Sequence, residues 1–296
     1  MTPALSVVVA THDRPRDLDR CLAALGRLED AALVEVIVVD SASPPPCSEL
    51  VERHARSLPR LRYLREERPG LSRARNRGAA AASAPLVAFV DDDARPRPDW
   101  ARRVVAPFSA DARIGCVGGR CDADFGDLAR PAWLSDRLLQ FAGITRFGGG
   151  PREARGSSEW PFGANLALRV EALREAGGFS ERLGRVGGSL LSGEESAVVE
   201  ELRRRGWRIW LEPAAVVDHA VAPERCVPRY YWRRLWWSGV TRARGGASAV
   251  LALRLAAAAP LRLLLFLATR DRVHLYRTAE TAGYLAERLR LRRRPR

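Results

Sequence analysis

The sequence contains no lysine: all 49 of its basic residues are arginine. That usage fits a GC-rich coding sequence and bears little on function. Cysteine is scarce. Cys21, Cys47, Cys116, Cys121 and Cys226 are odd in number, and no two have C-x-x-C spacing. A zinc site or a disulfide framework is therefore not expected, and a reducing compartment fits best. No basic segment precedes the first apolar run, so no signal peptide is expected. No internal repeat is present. Uninterrupted apolar runs of membrane-spanning length are also missing. The stretch 249–268 is strongly apolar, but it holds Arg254, Pro260 and Arg262. A spanning helix needs about 20 mostly apolar residues, and arginines near its middle are costly in hydrocarbon. An in-plane amphipathic helix is the easier reading, with a core helix packed on the rest of the protein as its rival.

What is present is a chain of 296 residues, 47% apolar, large enough for a substantial α/β domain. Its net charge of +14 is unevenly spread. Residues 226–296 hold 16 Arg and 3 acids, whereas residues 1–225 hold 33 Arg and 32 acids. A nearly neutral body with a basic tail suggests that the tail meets an anionic surface, either lipid head groups or nucleic acid. Tyr230, Tyr231, Trp232, Trp236 and Trp237 alternate there with Arg229, Arg233 and Arg234. The neutral body and the apolar 249–268 stretch favour the membrane surface over nucleic acid.

Three short apolar runs, Leu5–Ala10, Val34–Val39 and Leu86–Val90, are continuous rather than alternating, as in strands buried on both faces of a parallel sheet. Helical patterns at 16–28, 48–58 and 72–82 separate or follow them, which predicts a doubly wound α/β arrangement. Further on, helices are predicted from Val170 to Gly177-Gly178 and over Glu194–Arg205, with a short strand at Ile209–Leu211.

The first three strands end in acids. Asp13 follows the first, Asp40-Ser41 the second and Asp91-Asp92-Asp93 the third. In open parallel sheets ligands bind at this carboxyl edge. Three adjacent carboxylates repel one another unless a positive group sits among them, and Mg²⁺ or Mn²⁺ suits an oxygen-rich set. Such an ion also offsets charge on a departing diphosphate. The bland alternative is an acidic turn before the helix that starts near Asp99. Asp13 and Asp40 can accept hydrogen bonds from a base or ribose, or serve as caps and turn residues. Gly70–Asn76 opens a helix whose arginines can reach a diphosphate, or merely face solvent. Glu194 and Glu195 begin a helix, where one can take a proton from a hydroxyl or both can simply favour the helix dipole. His219 is a metal ligand or a satisfied core histidine.

Taken in order, these residues resemble glycosyltransferase family 2, whose fold is GT-A. The run S-V-V-V-A-T-H-D-R-P at 6–15 resembles the family's first strand and nucleotide-binding turn. V-I-V-V-D-S-A-S at 36–43, G-L-S-R-A-R-N-R-G at 70–78, F-V-D-D-D at 89–93, P-F-G-A-N at 161–165 and G-E-E at 193–195 resemble its later motifs. The resemblance covers about residues 4–220. It implies a mostly parallel central sheet flanked by helices, with a basic helical C-terminal extension.

The resemblance also implies roles. Thr11, Asp13, Arg14, Asp40 and Ser41 would hold the nucleotide of a nucleotide-sugar donor, with Arg75, Asn76, Asp91 and Asp92 nearby. Asp93, Asp91 and His219 would hold a divalent metal, Mg²⁺ or Mn²⁺. Glu195, with Glu194 beside it, would be the base of a single inverting displacement. Trp160, Gly163 and Asn165 would line the acceptor side. UDP is the default nucleotide. The sequence departs from the family pattern in ending its second strand D-S rather than D-D, and in carrying Glu where Asp is commoner at the base. The longer side chain moves that carboxylate by roughly 1.5 Å, and which of Glu194 and Glu195 acts stays open.

The division implied is a catalytic domain over 1–225, with a nucleotide-binding half to about 115 and an acceptor half over 116–225, followed by an extension over 226–296. The expected acceptor is a hydroxyl, on a lipid-linked cell-envelope or exopolysaccharide intermediate or on a soluble natural product. The expected location is the cytoplasmic face of the plasma membrane. A nucleotidyltransferase is disfavoured because the first strand leads into T-H-D-R instead of a Gly-rich basic loop. A catalytically inactive relative, or a binder of anionic surfaces through the tail, remains the alternative.

Overall fold

The computed structural model describes residues 3–145, 147–156, 159–246, 251, 254–255 and 257–292. It divides into two compact units. The first comprises residues 1–124, 143–187 and 194–220, and the second 125–142, 188–193 and 221–296.

The first unit is built on one mixed sheet. Its strands are β1 (Leu5–Thr11), β2 (Val34–Ser41), β3 (Leu61–Glu66), β4 (Leu86–Asp91), β5 (Ala94–Pro96), β6 (Ile114–Asp124), β7 (Arg152–Glu153), β8 (Asn165–Arg169) and β9 (Arg208–Ala220). They lie in the order β3-β2-β1-β4-β8-β6-β9-β5, with β7 paired to β9. β2, β1 and β4 run parallel, as the continuous apolar runs predict, and β3, which the sequence reading did not name, is parallel to β2. β8 is antiparallel to both β4 and β6.

Successive residues of β1 feed opposite faces, which is why both must be apolar. Val7 and Val9 pack with Leu18, Leu22 and Leu25 of helix α1 (Pro15–Leu25) and with Trp100 and Val104 of a helix at Trp100–Ala110. Val8 packs on the other face with Ala74 of helix Leu71–Ala81, Leu173 of Val170–Glu175 and Val198 of Glu194–Arg204. With a short helix at Ser48–Arg53, these elements are α2 (Ser48–Arg53), α3 (Leu71–Ala81), α4 (Trp100–Ala110), α6 (Val170–Glu175) and α7 (Glu194–Arg204), α5 (Asp136–Leu139) lying in the second unit.

The short strand expected at 209–211 runs instead from 208 to 220. A register shift opposite Gly119 and Arg120 absorbs the residues after Glu212, and pairing resumes from Val216 to Ala220. That continuation places His219 opposite Ala94, beside the acidic triad.

In the second unit, α8 (Pro228–Arg244) packs along α10 (Arg272–Arg292), and α9 (Ala259–Thr269) lies between them in sequence. α8 and α10 approach so closely that a Cβ on Gly239 would sit 1.9 Å from the Glu280 carbonyl oxygen. The aromatics are divided: Tyr231, Tyr276 and Tyr284 are fully buried, while Trp232 and Trp236 are exposed. The second half of the expected in-plane helix is α9, and the residues before it are in part outside those described. Among the described residues no helix is long and apolar enough to cross a membrane.

Candidate active site

Sheet register gathers the strand-end acids. Thr11 lies opposite Asp40, and Ala10 opposite Asp91, so the ends of β1, β2 and β4 form one edge. Asp92 turns inward, accepting a hydrogen bond from Thr11 Oγ1 (2.8 Å) and one from Arg14 Nη1 (3.2 Å). Burial, then the charge of Asp93, pushes the Asp92 carboxyl up to about 7. Arg14 also reaches Asp93 Oδ2 at 3.4 Å, so one guanidinium spans two acids.

Asp91, Asp93 and His219 converge. One ligand atom from each lies within 4.8 Å of the others. His219 Nε2 is 3.2 Å from Asp93 Oδ1, and His219 Nδ1 is buried without a hydrogen-bond partner among the described residues. Octahedral ligands at about 2.1 Å from an ion stand roughly 3–4.3 Å apart, so small adjustments bring these three around one. Two carboxylates and an imidazole suit Mn²⁺ or Mg²⁺. The residues therefore fit a divalent metal.

Arg75 ties this cluster to α7. Its Nη2 donates to Asp91 Oδ1 at 3.0 Å and its Nη1 to Glu194 Oε1 at 2.9 Å. Space for the guanidinium comes from Gly163, where a Cβ would lie 2.3 Å from Arg75 Nη2. Burial, then the adjoining Glu195 charge, pushes the Glu194 carboxyl up to about 8, against the pull of Arg75. Glu195 is only partly buried, and the buried Oε2 of each glutamate has no hydrogen-bond partner among the described residues.

Other residues singled out from the sequence lie deeper. Asp40 is fully buried and accepts from Ser43 N, Cys47 N, Tyr63 Oη and Arg65 Nη1, at 2.8–3.1 Å. Burial would raise its carboxyl, yet the Ser43 and Cys47 hydrogen bonds hold it below the usual range. Ser41 Oγ accepts from Gly70 N. Both residues thus shape the loops of the site from within. Asn76 exchanges two hydrogen bonds with the Phe179 backbone. Asn165 is buried inside the sheet, not on an open wall: it donates to the Arg120 and Ala215 carbonyls and accepts from Trp100 Nε1. Trp160 is partly buried under the Arg203 guanidinium, 5.2 Å from its ring centre.

Sequence reading missed the supports of Asp40. Tyr63 and Arg65 are spaced i, i+2 on β3, which puts both on one face next to Asp40; that alternation was the available signal. It also missed a pocket of about 240 Å³ between the ends of β1 and α2, where Asp13 and Arg14 face Cys47, Glu49 and Arg53. Asp13, which lines it, has φ +52°, and its N–H donates to Ser43 Oγ.

A parallel half continued through antiparallel β8, with acids on the carboxyl edge, is the GT-A fold. The chain belongs to glycosyl transferase family 2, whose model matches residues 6–175. Among solved structures it is similar to the mannosyltransferase PcManGT of Pyrobaculum calidifontis in complex with GDP-Man and Mn²⁺, with TM-score 0.63 and 21% identity over 96% of this chain and 88% of that one. It is also similar to GalNAc-T7 with UDP, GalNAc and Mn²⁺, with TM-score 0.58 and 19% identity over 82% and 50%. Among curated proteins it is 26% identical, over 184 residues, to the glucosyl-dolichyl phosphate glucuronosyltransferase of Haloferax volcanii, covering 61% of this chain and 57% of that one. It is 38% identical, over 125 residues, to the validoxylamine A glucosyltransferase of Streptomyces hygroscopicus subsp. jinggangensis, covering 40% and 29%. The chain thus spans between under a third and somewhat over half of these two relatives.

Proposed function

We propose that this protein is a metal-dependent inverting glycosyltransferase that moves a sugar from a nucleotide-sugar donor to an acceptor hydroxyl. The observation that carries the reading is the convergence of Asp91, Asp93 and His219 on one point, joined through Arg75 to the two glutamates that open α7. The nucleotide occupies the pocket beside Thr11, Asp13 and Arg14, with its diphosphate toward the acid cluster. A divalent ion there supplies positive charge against the departing diphosphate. Arg75 fixes Asp91 and Glu194 in position. Glu195 accepts the proton of the acceptor hydroxyl as that oxygen bonds the anomeric carbon and the bond from carbon to the diphosphate oxygen breaks. Attack opposite the leaving group inverts the centre.

UDP is taken as the donor nucleotide by default; the Mn²⁺ complexes named above carry UDP in one case and GDP-Man in the other. Among the acceptor-side residues, Trp160 keeps the acceptor role in this reading, while Gly163 and Asn165 act by seating Arg75 and joining strands. The relative named for glucosyl-dolichyl phosphate supports a lipid-linked acceptor in envelope glycan assembly, with the basic 226–296 segment resting on the inner face of the plasma membrane. The relative named for validoxylamine A supports a soluble acceptor instead.

The test is donor turnover. Purified protein is incubated with UDP-, GDP- and dTDP-sugars and Mn²⁺, and free nucleoside diphosphate is measured with and without candidate acceptors. Acceptor-stimulated release from one donor class, abolished by EDTA, is expected. Failure of every donor to be consumed or bound contradicts the reading.

A further inference from the structure

α9 is turned inside out. In a water-facing helix the apolar stripe is buried and the polar face is wet. Here Leu261, Leu263, Leu264, Leu265 and Leu267 are 37–63% exposed, while the helix's one charged residue, Arg262, is 9% exposed. Arg262 points at α10, where its Nη1 donates to the Arg277 carbonyl oxygen at 2.9 Å and to Thr281 Oγ1 at 2.7 Å. At about 100° per residue, the exposed positions from Pro260 to Ala268 cover an arc of roughly 200°, and only Arg262 and the partly buried Phe266 face the protein. Arg262, one of the two arginines that argued against a spanning helix, is thereby removed from the outer face.

We infer that α9 is an in-plane anchor that embeds its leucine face in the interfacial layer of an anionic bilayer. This deepens the membrane-contact part of the proposed function and does not depend on its transfer chemistry. Two features favour lipid over a protein groove. The apolar arc is wider than the stripe a helix normally lends to a partner helix or cleft. The segment around it is strongly cationic: residues 226–296 carry a net charge of +13, and exposed Arg254 and Arg270 bracket the helix. An apolar face buried at head-group depth, with arginines beside it, is the arrangement of interfacial helices. Anionic head groups add attraction for each nearby arginine.

Co-sedimentation of the full chain with vesicles tests this. Phosphatidylcholine vesicles with and without phosphatidylglycerol are compared for the wild type and for Leu261→Gln, Leu264→Gln, Leu267→Gln combined. Glutamine keeps helix propensity and removes the apolar face. The expected result is binding to the anionic vesicles, weakened at least about tenfold in the triple variant. Metal-dependent nucleotide binding, measured on the same preparations, is expected to be equal in both, which shows that the variant is folded. Absence of wild-type binding, or triple-variant binding equal to wild type, overturns the inference. So does a wild-type dimer that the triple variant dissolves without any vesicle binding, because a second copy then covers the face. Vesicle binding without nucleotide binding would contradict the transferase reading and leave the anchor standing.

Discussion

Arg75 and Glu194 form an ion pair with both side chains only 4% exposed, 2.9 Å from Nη1 to Oε1. The pairing separates the two adjacent glutamates. Glu194 is held inside by Arg75, whereas Glu195 is only partly buried, and its buried Oε2 has no hydrogen-bond partner among the described residues. Glu195→Gln is therefore expected to keep donor binding and lose transfer by at least about 100-fold. Glu194→Gln retains a hydrogen-bonding oxygen for Arg75 and is expected to keep measurable transfer. Single-turnover rates and donor affinities of both variants check this. A fully active Glu195→Gln beside an inactive Glu194→Gln would move the base by one residue.

Burial of Glu194, working against its pairing with Arg75, makes stability depend on pH. The Glu194 carboxyl is pushed from 4.5 to about 8, chiefly by burial. Between those values the folded protein holds a proton that the unfolded chain has released. The resulting stabilisation is fully present below about 4.5 and is lost as pH rises through about 8. Melting temperatures between pH 5 and 9 should fall with pH more steeply in the wild type than in Glu194→Gln. Parallel profiles would contradict the assignment.

Gly163 should tolerate no side chain. A methyl group there meets Arg75 Nη2 at 2.3 Å, so the guanidinium must leave its place between Asp91 and Glu194. Gly163→Ala is expected to cost about 1–3 kcal/mol of stability and to lower kcat more than it changes donor affinity. Chemical denaturation and steady-state kinetics give the two numbers.

Asn165 joins three segments of the sheet through its amide. Asn165→Ala strands the Trp100 indole N–H and two carbonyls, and should cost on the order of 3 kcal/mol. Kinetics of the residual folded protein at low temperature should show an acceptor KM close to wild type. A large rise in KM with unchanged stability would return Asn165 to the acceptor surface.

Much of this was legible in the sequence because the informative residues sit at the ends of strands. Continuous β-branched runs such as Val34–Val39 locate central parallel strands, and the acids that end them must share the carboxyl edge. Long-range pairing left no such local mark. Antiparallel β8 depends on where β4 and β6 lie, and β9 runs on past Pro213 only because β6 tolerates a register shift opposite it. Burial was equally hidden. Asp40, Asn76 and Asn165 are polar residues in motif positions, yet partners more than 20 residues away in sequence, such as Tyr63 for Asp40 and Phe179 for Asn76, draw them inward. The leucines and Arg262 of α9 show the converse, since their order along the chain does not reveal that the charge faces in.

The measurement that bears most directly on the account is the thermal shift of wild type and Asp93→Ala with UDP, GDP and dTDP, each in Mn²⁺ and in EDTA. A ligand that binds only the folded state raises the melting temperature by mass action. The expected result is a rise with one nucleoside diphosphate that requires Mn²⁺ and disappears in Asp93→Ala, although that variant melts as a folded protein. Equal shifts in EDTA and in the variant, or no shift with any nucleotide, would contradict a metal-dependent donor site at Asp91, Asp93 and His219.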